Sequence, residues 1–173
     1  YKSDYPDFGY YQLTKKVGDD SMVLTIRTGI DGIGGGCSGY QPEVEEVIES
    51  RPVTILGTNL YFIYNSGYKS IGEPPYAYVS EHPLGVCSNV AYVSLPGLSG
   101  LVAANLHVYK GEEEVGIELA EISTNTDFSE VEEILRSVSR TPLVVDGMHE
   151  YIVSDFGFSF WHPSSWRVWR TEN

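Results

Sequence analysis

A strongly apolar run, Leu-Val-Ala-Ala-Asn-Leu-His-Val-Tyr, occupies residues 101–109. An apolar run of this length, bounded by turn residues, is typical of a strand that is covered on both faces. The polar segment 110–114 follows as an exposed turn, and apolar and polar side chains alternate again over residues 115–122. The sequence therefore predicts that residues 101–109 form a central strand of a sheet.

Further strands are predicted on both sides of this run, because β-branched and aromatic residues are frequent and Ala is rare. Residues 10–15 and 22–28 form a predicted hairpin around the turn Val17-Gly18-Asp19-Asp20. Residues 53–58 and 59–64 are predicted as two strands that are joined at Gly57. The remaining predicted strands are residues 76–80, 89–94, 151–154, 156–161 and 166–169.

One helix is predicted over residues 127–138, because its apolar side chains lie on one face and can pack on the sheet. These side chains are Phe128, Val131, Ile134, Leu135 and Val138. Residues 43–49 fit a second, short helix, and a strand that runs on into Pro52 fits them nearly as well. The predicted fold class is therefore α+β, an antiparallel β-sheet with one or two helices packed on it.

The charge of the chain narrows the classes of partner. Asp and Glu number 24 against 11 Lys and Arg, so the formal net charge is −13. Nucleic acids and anionic membrane surfaces are bound by clustered cations, so neither is an expected partner. No apolar run approaches the roughly 20 residues that a bilayer span requires, and direct insertion into a membrane is not expected.

No motif of a catalytic or cofactor-binding site is complete in the sequence. The glycine-rich segment 29–39 superficially resembles a nucleotide-binding loop, but it lacks the Gly-Lys-Ser/Thr ending. The acidic segment 43–46 that follows would repel phosphate. The four histidines, His82, His107, His149 and His162, do not pair at metal-ligand spacing. We therefore predict no catalytic residue, no metal and no cofactor.

The two cysteines, Cys37 and Cys87, lie far apart in the sequence and outside any Cys-x-x-Cys motif. A disulfide bond between them would imply an oxidising compartment. It would close a long loop and stabilise the fold by about 4 kcal/mol. Two buried free thiols are the alternative.

The C-terminal segment 156–168 reads Phe-Gly-Phe-Ser-Phe-Trp-His-Pro-Ser-Ser-Trp-Arg-Val. It resembles the opening motif of exported bacterial domains with the PsbP/Mog1-like fold, Gly-Phe-x-Phe-x-x-Pro-x-x-Trp-x-Val. Residues 134–138, Ile-Leu-Arg-Ser-Val, are similar to the closing helix of the same family. The resemblance covers only these two short segments, and it implies an antiparallel sheet covered by helices.

The two segments occur in the opposite order to that of the family. We therefore predict a circular permutation, which is feasible where chain termini lie close together. The predicted single domain spans residues 1–173, with a body at 1–141, a linker at 142–150 and a strand pair at 151–173 that completes the sheet. The permutation requires residues 156–168 to lie in the same sheet as residues 10–28. Alternatively, residues 151–173 begin a second domain or exchange with a neighbouring molecule.

The resemblance implies a non-catalytic binding or structural module, located outside the cell or in the cell envelope. Its partner is expected to be a protein or a glycan at the cell surface. A tyrosine-dense region beside the segment 65–75 is the predicted contact surface, because tyrosine covers a sheet while its hydroxyl stays in water. The predicted contact residues are Tyr61, Tyr64, Tyr68, Tyr76 and Tyr78. The alternative function is a secreted hydrolase that uses two carboxylates about 5–10 Å apart.

Overall fold

The computed structural model describes residues 9–30, 47–65, 76–81, 83, 93–98, 101–115, 126–140, 145–154 and 157–170. These residues form ten strands and one helix. The strands are β1 (Gly9–Val17), β2 (Asp20–Ile30), β3 (Val47–Ile55), β4 (Thr58–Asn65), β5 (Tyr76–Ser80), β6 (Leu101–Lys110), β7 (Glu113–Val115), β8 (Met148–Val153), β9 (Phe158–Pro163) and β10 (Trp166–Arg170). The helix α1 spans Thr126–Arg136.

Eight of the strands form one antiparallel sheet in the order β10-β1-β2-β6-β5-β4-β3, and β7 pairs with β6 beside this path. The predicted hairpin is confirmed as β1 and β2, in which Leu13 lies opposite Leu24. The apolar strand β6 lies between β2 and β5, so its predicted central position is confirmed. Residues 102–106 of β6 are buried on both faces of the sheet, which explains why this part of the strand is largely apolar.

The hydrophobic core lies on one face of this sheet. Every second residue of each strand points to that face, as Leu24 and Ile26 do in β2. A second layer covers the core and consists of α1 and the separate two-stranded sheet β8–β9. The second layer contributes to the core Val131, Ile134 and Leu135 from α1 and Val153, Phe158 and Phe160 from the hairpin.

Hydrogen bonds attach the end of α1 to β9. The Ser137 hydroxyl donates to the Ile134 carbonyl oxygen at 2.6 Å and accepts from the Trp161 backbone N–H at 2.7 Å. Ser139 and Ser159 exchange two backbone hydrogen bonds of 2.8 and 2.7 Å. The helix and the hairpin therefore form one continuous layer over the sheet.

The C-terminal segment passes from one layer to the other. β9 belongs to the two-stranded sheet, and β10 pairs with β1 at the edge of the large sheet, where Val168 lies opposite Leu13. The motif that resembles the PsbP/Mog1-like opening comprises β9 and β10. Strand β10 lies in the same sheet as residues 10–28, and β9 does not. The requirement that we set for the circular permutation is therefore met only in part, by β10 and not by β9, and the permutation stays a prediction.

The predicted α+β class is wrong, because the described residues form a mainly β structure with one short helix. The strand β3 begins at Val47, within the segment 43–49 that fitted either a helix or a strand. The β-branched residues of β3 favour an extended backbone, and Pro52 is tolerated because β3 is an edge strand. The β8–β9 hairpin shares with α1 the cover that we expected from helices alone.

Candidate functional site

The face of the large sheet that points away from the core is rich in polar and aromatic side chains, and we call it the polar face. Residues directly opposite each other in an antiparallel sheet have side chains on the same face. The strand register therefore places one row of side chains across the sheet from β10 to β3. The row consists of Trp169, Gln12, Thr25, Asn105, Tyr78, Ile63 and Ser50.

The middle of this row is buried, whereas its β10 end is exposed. Thr25 and Asn105 are 6% and 5% exposed, and Trp169 is 57% exposed. The side-chain oxygen Oδ1 of Asn105 accepts no hydrogen bond from any described residue. A buried acceptor without a partner costs about 1–3 kcal/mol. A water molecule or a ligand atom that donates to Asn105 would therefore stabilise the polar face.

Four side chains lie together at the exposed end of the row, and we call them the Trp169 patch: Trp169, Gln12, Tyr10 and Arg27. Gln12 is opposite Trp169, and its Nε2 donates a 3.0 Å hydrogen bond to the Tyr10 hydroxyl. Tyr10 is opposite Arg27, whose guanidinium carbon lies 5.6 Å from the centre of the Tyr10 ring. This cation–π contact and the hydrogen bond hold the amide and the phenol in place beside an exposed indole.

The five predicted contact tyrosines do not form one exposed surface. Tyr64 and Tyr78 are buried, so the expectation that their hydroxyls lie in water is wrong. They also point to opposite faces, Tyr64 into the core and Tyr78 onto the polar face. Tyr61 is partly buried on the polar face, Tyr76 contributes its backbone to β5, and Tyr68 lies outside the described residues.

Tyr64 belongs to a buried charged cluster between α1 and β3. The Glu132 atom Oε1 accepts hydrogen bonds from the Tyr64 hydroxyl at 3.1 Å and from Arg51 Nη1 at 3.0 Å, and Oε2 accepts from Arg136 Nη2 at 3.0 Å. Arg51 Nε also donates to Glu49 at 2.7 Å. Burial of the Tyr64 hydroxyl and the charge of Glu132 raise the pKa of Tyr64 well above its ordinary value. These contacts attach the helix to the sheet.

A second carboxylate of α1, Glu130, is bound to the opposite edge of the sheet. Its Oε2 accepts hydrogen bonds of 2.8 Å from Lys15 Nζ and from Trp166 Nε1. Lys15 and Trp166 are opposite each other on β1 and β10, so one carboxylate holds both strands. Glu130 and Glu132 therefore each form ion pairs with basic side chains and have a structural role. They give no support to the two-carboxylate hydrolase that we considered as an alternative.

Other predicted features fall outside the described residues, among them Cys37, Cys87 and the glycine-rich segment, so the predicted disulfide stays a prediction. Within the described ranges, no group of three His, Cys, Asp or Glu side chains is arranged to hold a metal ion. None of the described helical residues forms a helix that is long and apolar enough to cross a membrane. The hairpin brings His149 and His162 together, a contact that sequence reasoning missed.

Comparisons of the chain with protein-family models, with curated protein sequences and with solved structures find no significant match. The resemblance to PsbP/Mog1-like domains stays a prediction. The function of the protein is therefore argued from the chemistry of the polar face and of the Trp169 patch.

Proposed function

We propose that the protein is a non-catalytic binding module exported from a bacterial cell, and that its Trp169 patch binds a neutral glycan. The observation that carries the proposal is the exposed indole of Trp169 on the polar face of the large sheet. A tryptophan side chain buries about 150–250 Å² when it is covered. With roughly half of that area still open, a ligand that covers Trp169 gains on the order of 2–3 kcal/mol from the hydrophobic effect.

The surroundings of Trp169 favour a sugar over a protein. A stable protein interface covers about 800 Å² on each partner and has several large buried anchors at its centre. In the described part of the polar face, Trp169 is the exposed large apolar side chain, and the neighbouring groups are polar. A sugar ring offers one apolar C–H face for the indole and several hydroxyl groups for the Gln12 amide and the Tyr10 hydroxyl.

The charge of the chain narrows the class of glycan. A formal net charge of −13 repels acidic polysaccharides, so a neutral glycan is the expected ligand. Export from the cell is supported by the resemblance of residues 156–168 to exported domains. Placement at the cell surface would give the protein access to such glycans.

Tryptophan fluorescence tests the proposal directly. The other two tryptophans, Trp161 and Trp166, are buried, so acrylamide quenching reports mainly on Trp169. The full chain is titrated with a panel of neutral oligosaccharides that includes cellohexaose, chitohexaose and maltohexaose. We expect at least one of them to shift the emission to shorter wavelength and to protect Trp169 from quenching.

Substitutions then locate the binding surface. Trp169→Thr keeps a strand-forming residue and removes the ring, so binding is expected to disappear. Gln12→Ala is expected to weaken binding about tenfold, the equivalent of one hydrogen bond of about 1.4 kcal/mol. Ile152→Ala is the matched control, because Ile152 is also a large exposed apolar side chain but lies on the β8–β9 hairpin. Binding that survives Trp169→Thr, or a panel that gives no response, would overturn the proposal. If the chain instead binds a protein, and Trp169→Thr abolishes that binding, the ligand of the Trp169 patch is a protein and not a glycan.

A further inference from the structure

Two histidines face each other on the β8–β9 hairpin, away from the Trp169 patch. His149 and His162 are directly opposite in the strand register, and their ring centres are 6.1 Å apart. Side chains in this relation lie on the same face of the hairpin. His149 is exposed and His162 is partly buried, so both residues are in contact with solvent.

The hydrogen bond of His162 leaves its second nitrogen available to a metal. The His162 Nδ1 lies 3.0 Å from the backbone carbonyl oxygen of Pro163. A carbonyl oxygen only accepts, so Nδ1 carries the proton of the neutral ring and Nε2 keeps its lone pair. Histidines that bind metals usually donate the other ring N–H to a carbonyl or a carboxylate in this way, which fixes the tautomer and the ring orientation.

Packed aromatic side chains hold this part of the hairpin in place. The His162 ring lies 6.5 Å from the ring of Phe160, which stacks at 5.3 Å on Tyr151. Tyr151 in turn makes an edge contact of 6.1 Å with Tyr11 of the core. The histidine pair therefore ends a row of rings that is anchored in the interior, and this anchoring lowers the entropy cost of holding an ion.

We propose that His149 and His162 together bind one divalent transition-metal ion of the Zn²⁺, Ni²⁺ and Cu²⁺ class. A Zn–N bond is about 2.0–2.1 Å long, so two imidazoles that share an ion have ring centres about 5–6 Å apart. The observed 6.1 Å is close to this range. Imidazole nitrogen suits this class of ion, and Mg²⁺ and Ca²⁺ prefer oxygen ligands. The negative net charge of the chain attracts cations to its surface.

Titration of the full, untagged chain with ZnCl₂ and NiCl₂ by isothermal calorimetry tests the proposal. We expect one ion per chain, reversal by EDTA, and a rise in Tm with metal concentration, because the ion binds the folded state. His149→Gln and His162→Gln are each expected to weaken binding tenfold or more. His107→Gln, on β6 of the large sheet, is the matched control and is expected to change the affinity less than twofold.

Nuclear magnetic resonance supplies a second measurement that does not depend on the variants. Zn²⁺ is expected to shift the ring-proton signals of His149 and His162 together and at the same metal concentration. Absence of binding at 1 mM metal, unchanged affinity in either variant, or a shift of only one ring would each overturn the shared site. Mg²⁺ added at the same concentration is expected to leave both rings unchanged.

Discussion

Replacement of Glu132 by alanine tests whether the buried charged cluster attaches α1 to the sheet. The Glu132 side chain is 7% exposed and accepts hydrogen bonds on both oxygens. The substitution removes the carboxylate oxygen that accepts a hydrogen bond from the buried Tyr64 hydroxyl, and it removes one of the two carboxylates that Arg51 contacts. It creates no steric clash, because alanine is smaller than glutamate and is favourable in a helix.

The expected loss of stability follows from the burial of each partner. Loss of the hydrogen bond from the buried Tyr64 hydroxyl costs about 1–3 kcal/mol, and loss of the charged hydrogen bond from Arg51 costs about 1.5–3 kcal/mol. Arg136 is half-exposed, so its pair with Glu132 four residues earlier contributes only about 0.3–0.5 kcal/mol. Arg51 keeps Glu49, which reduces the loss on its side. We therefore expect Glu132→Ala to lower the free energy of unfolding by about 3–5 kcal/mol, as is usual when one partner of a buried pair is removed.

Urea denaturation at pH 7, followed by circular dichroism, measures this loss. For a chain of this size, about 3–5 kcal/mol corresponds to a fall in Tm of about 6–20 °C. Glu133→Ala is the matched control, because Glu133 is the next residue of α1 and is exposed. Its free energy of unfolding is expected to stay within about 0.5 kcal/mol of the wild type. If Glu132→Ala and Glu133→Ala differ by less than about 1 kcal/mol, the cluster does not attach the helix.

Two further predictions concern the pH dependence of stability and a tight turn. The pKa of Tyr64 is raised in the folded state, so the protonated hydroxyl stabilises the fold fully below pH about 10. As the pH rises from there toward the folded pKa, this stabilisation decreases by up to about 1.4 kcal/mol per pH unit. Urea denaturation at pH 9.5 and 11 is therefore expected to show a steeper decline for the wild type than for Tyr64→Phe, and equal slopes would contradict the raised pKa. Gly97 has a φ of +74°, its carbonyl oxygen accepts a hydrogen bond from Arg140, and the Arg140 guanidinium occupies the place that a Cβ would take. We therefore expect Gly97→Ala to lower the free energy of unfolding by about 1–2 kcal/mol because of backbone strain, and by up to about 1 kcal/mol more because Arg140 is displaced. Gly111→Ala, at a φ of +63° with open space, is the control, and an equal loss in both variants by thermal denaturation would show that the Arg140 contact is not important.

Local patterns predicted the strands and the helix because each pattern depends on near neighbours in the sequence. The apolar run 101–109 gave the central strand β6, and the periodic apolar residues of 127–138 gave α1. The fold class was wrong because it depended on how the layers are built. A hairpin and a helix together cover the core, and the sequence of one segment does not show which other segment packs on it.

The candidate site was predicted less well, because exposure depends on both faces of the sheet. Tyr64 and Tyr78 lie in internal strands of the sheet. A tyrosine-rich strand has the same sequence pattern whether the face that points away from the core is exposed to solvent or buried. The contact between His149 and His162 could have been found from the sequence by aligning residues 148–153 with 158–163 as a hairpin. The Trp169 patch could not, because it requires the pairing of β10 with β1, from opposite ends of the chain.

The sequence by itself determined where the chain is extended, where it is helical and which strand is central, since backbone preference and apolar periodicity act over a few residues. Only the tertiary structure decided which side chains share a face, which carboxylates are neutralised and which rings remain in water. The physical reason is that register and burial arise from contacts between distant segments. Trp169 illustrates both levels: its strand was predicted from local pattern, and its position opposite Gln12 is a property of the folded sheet.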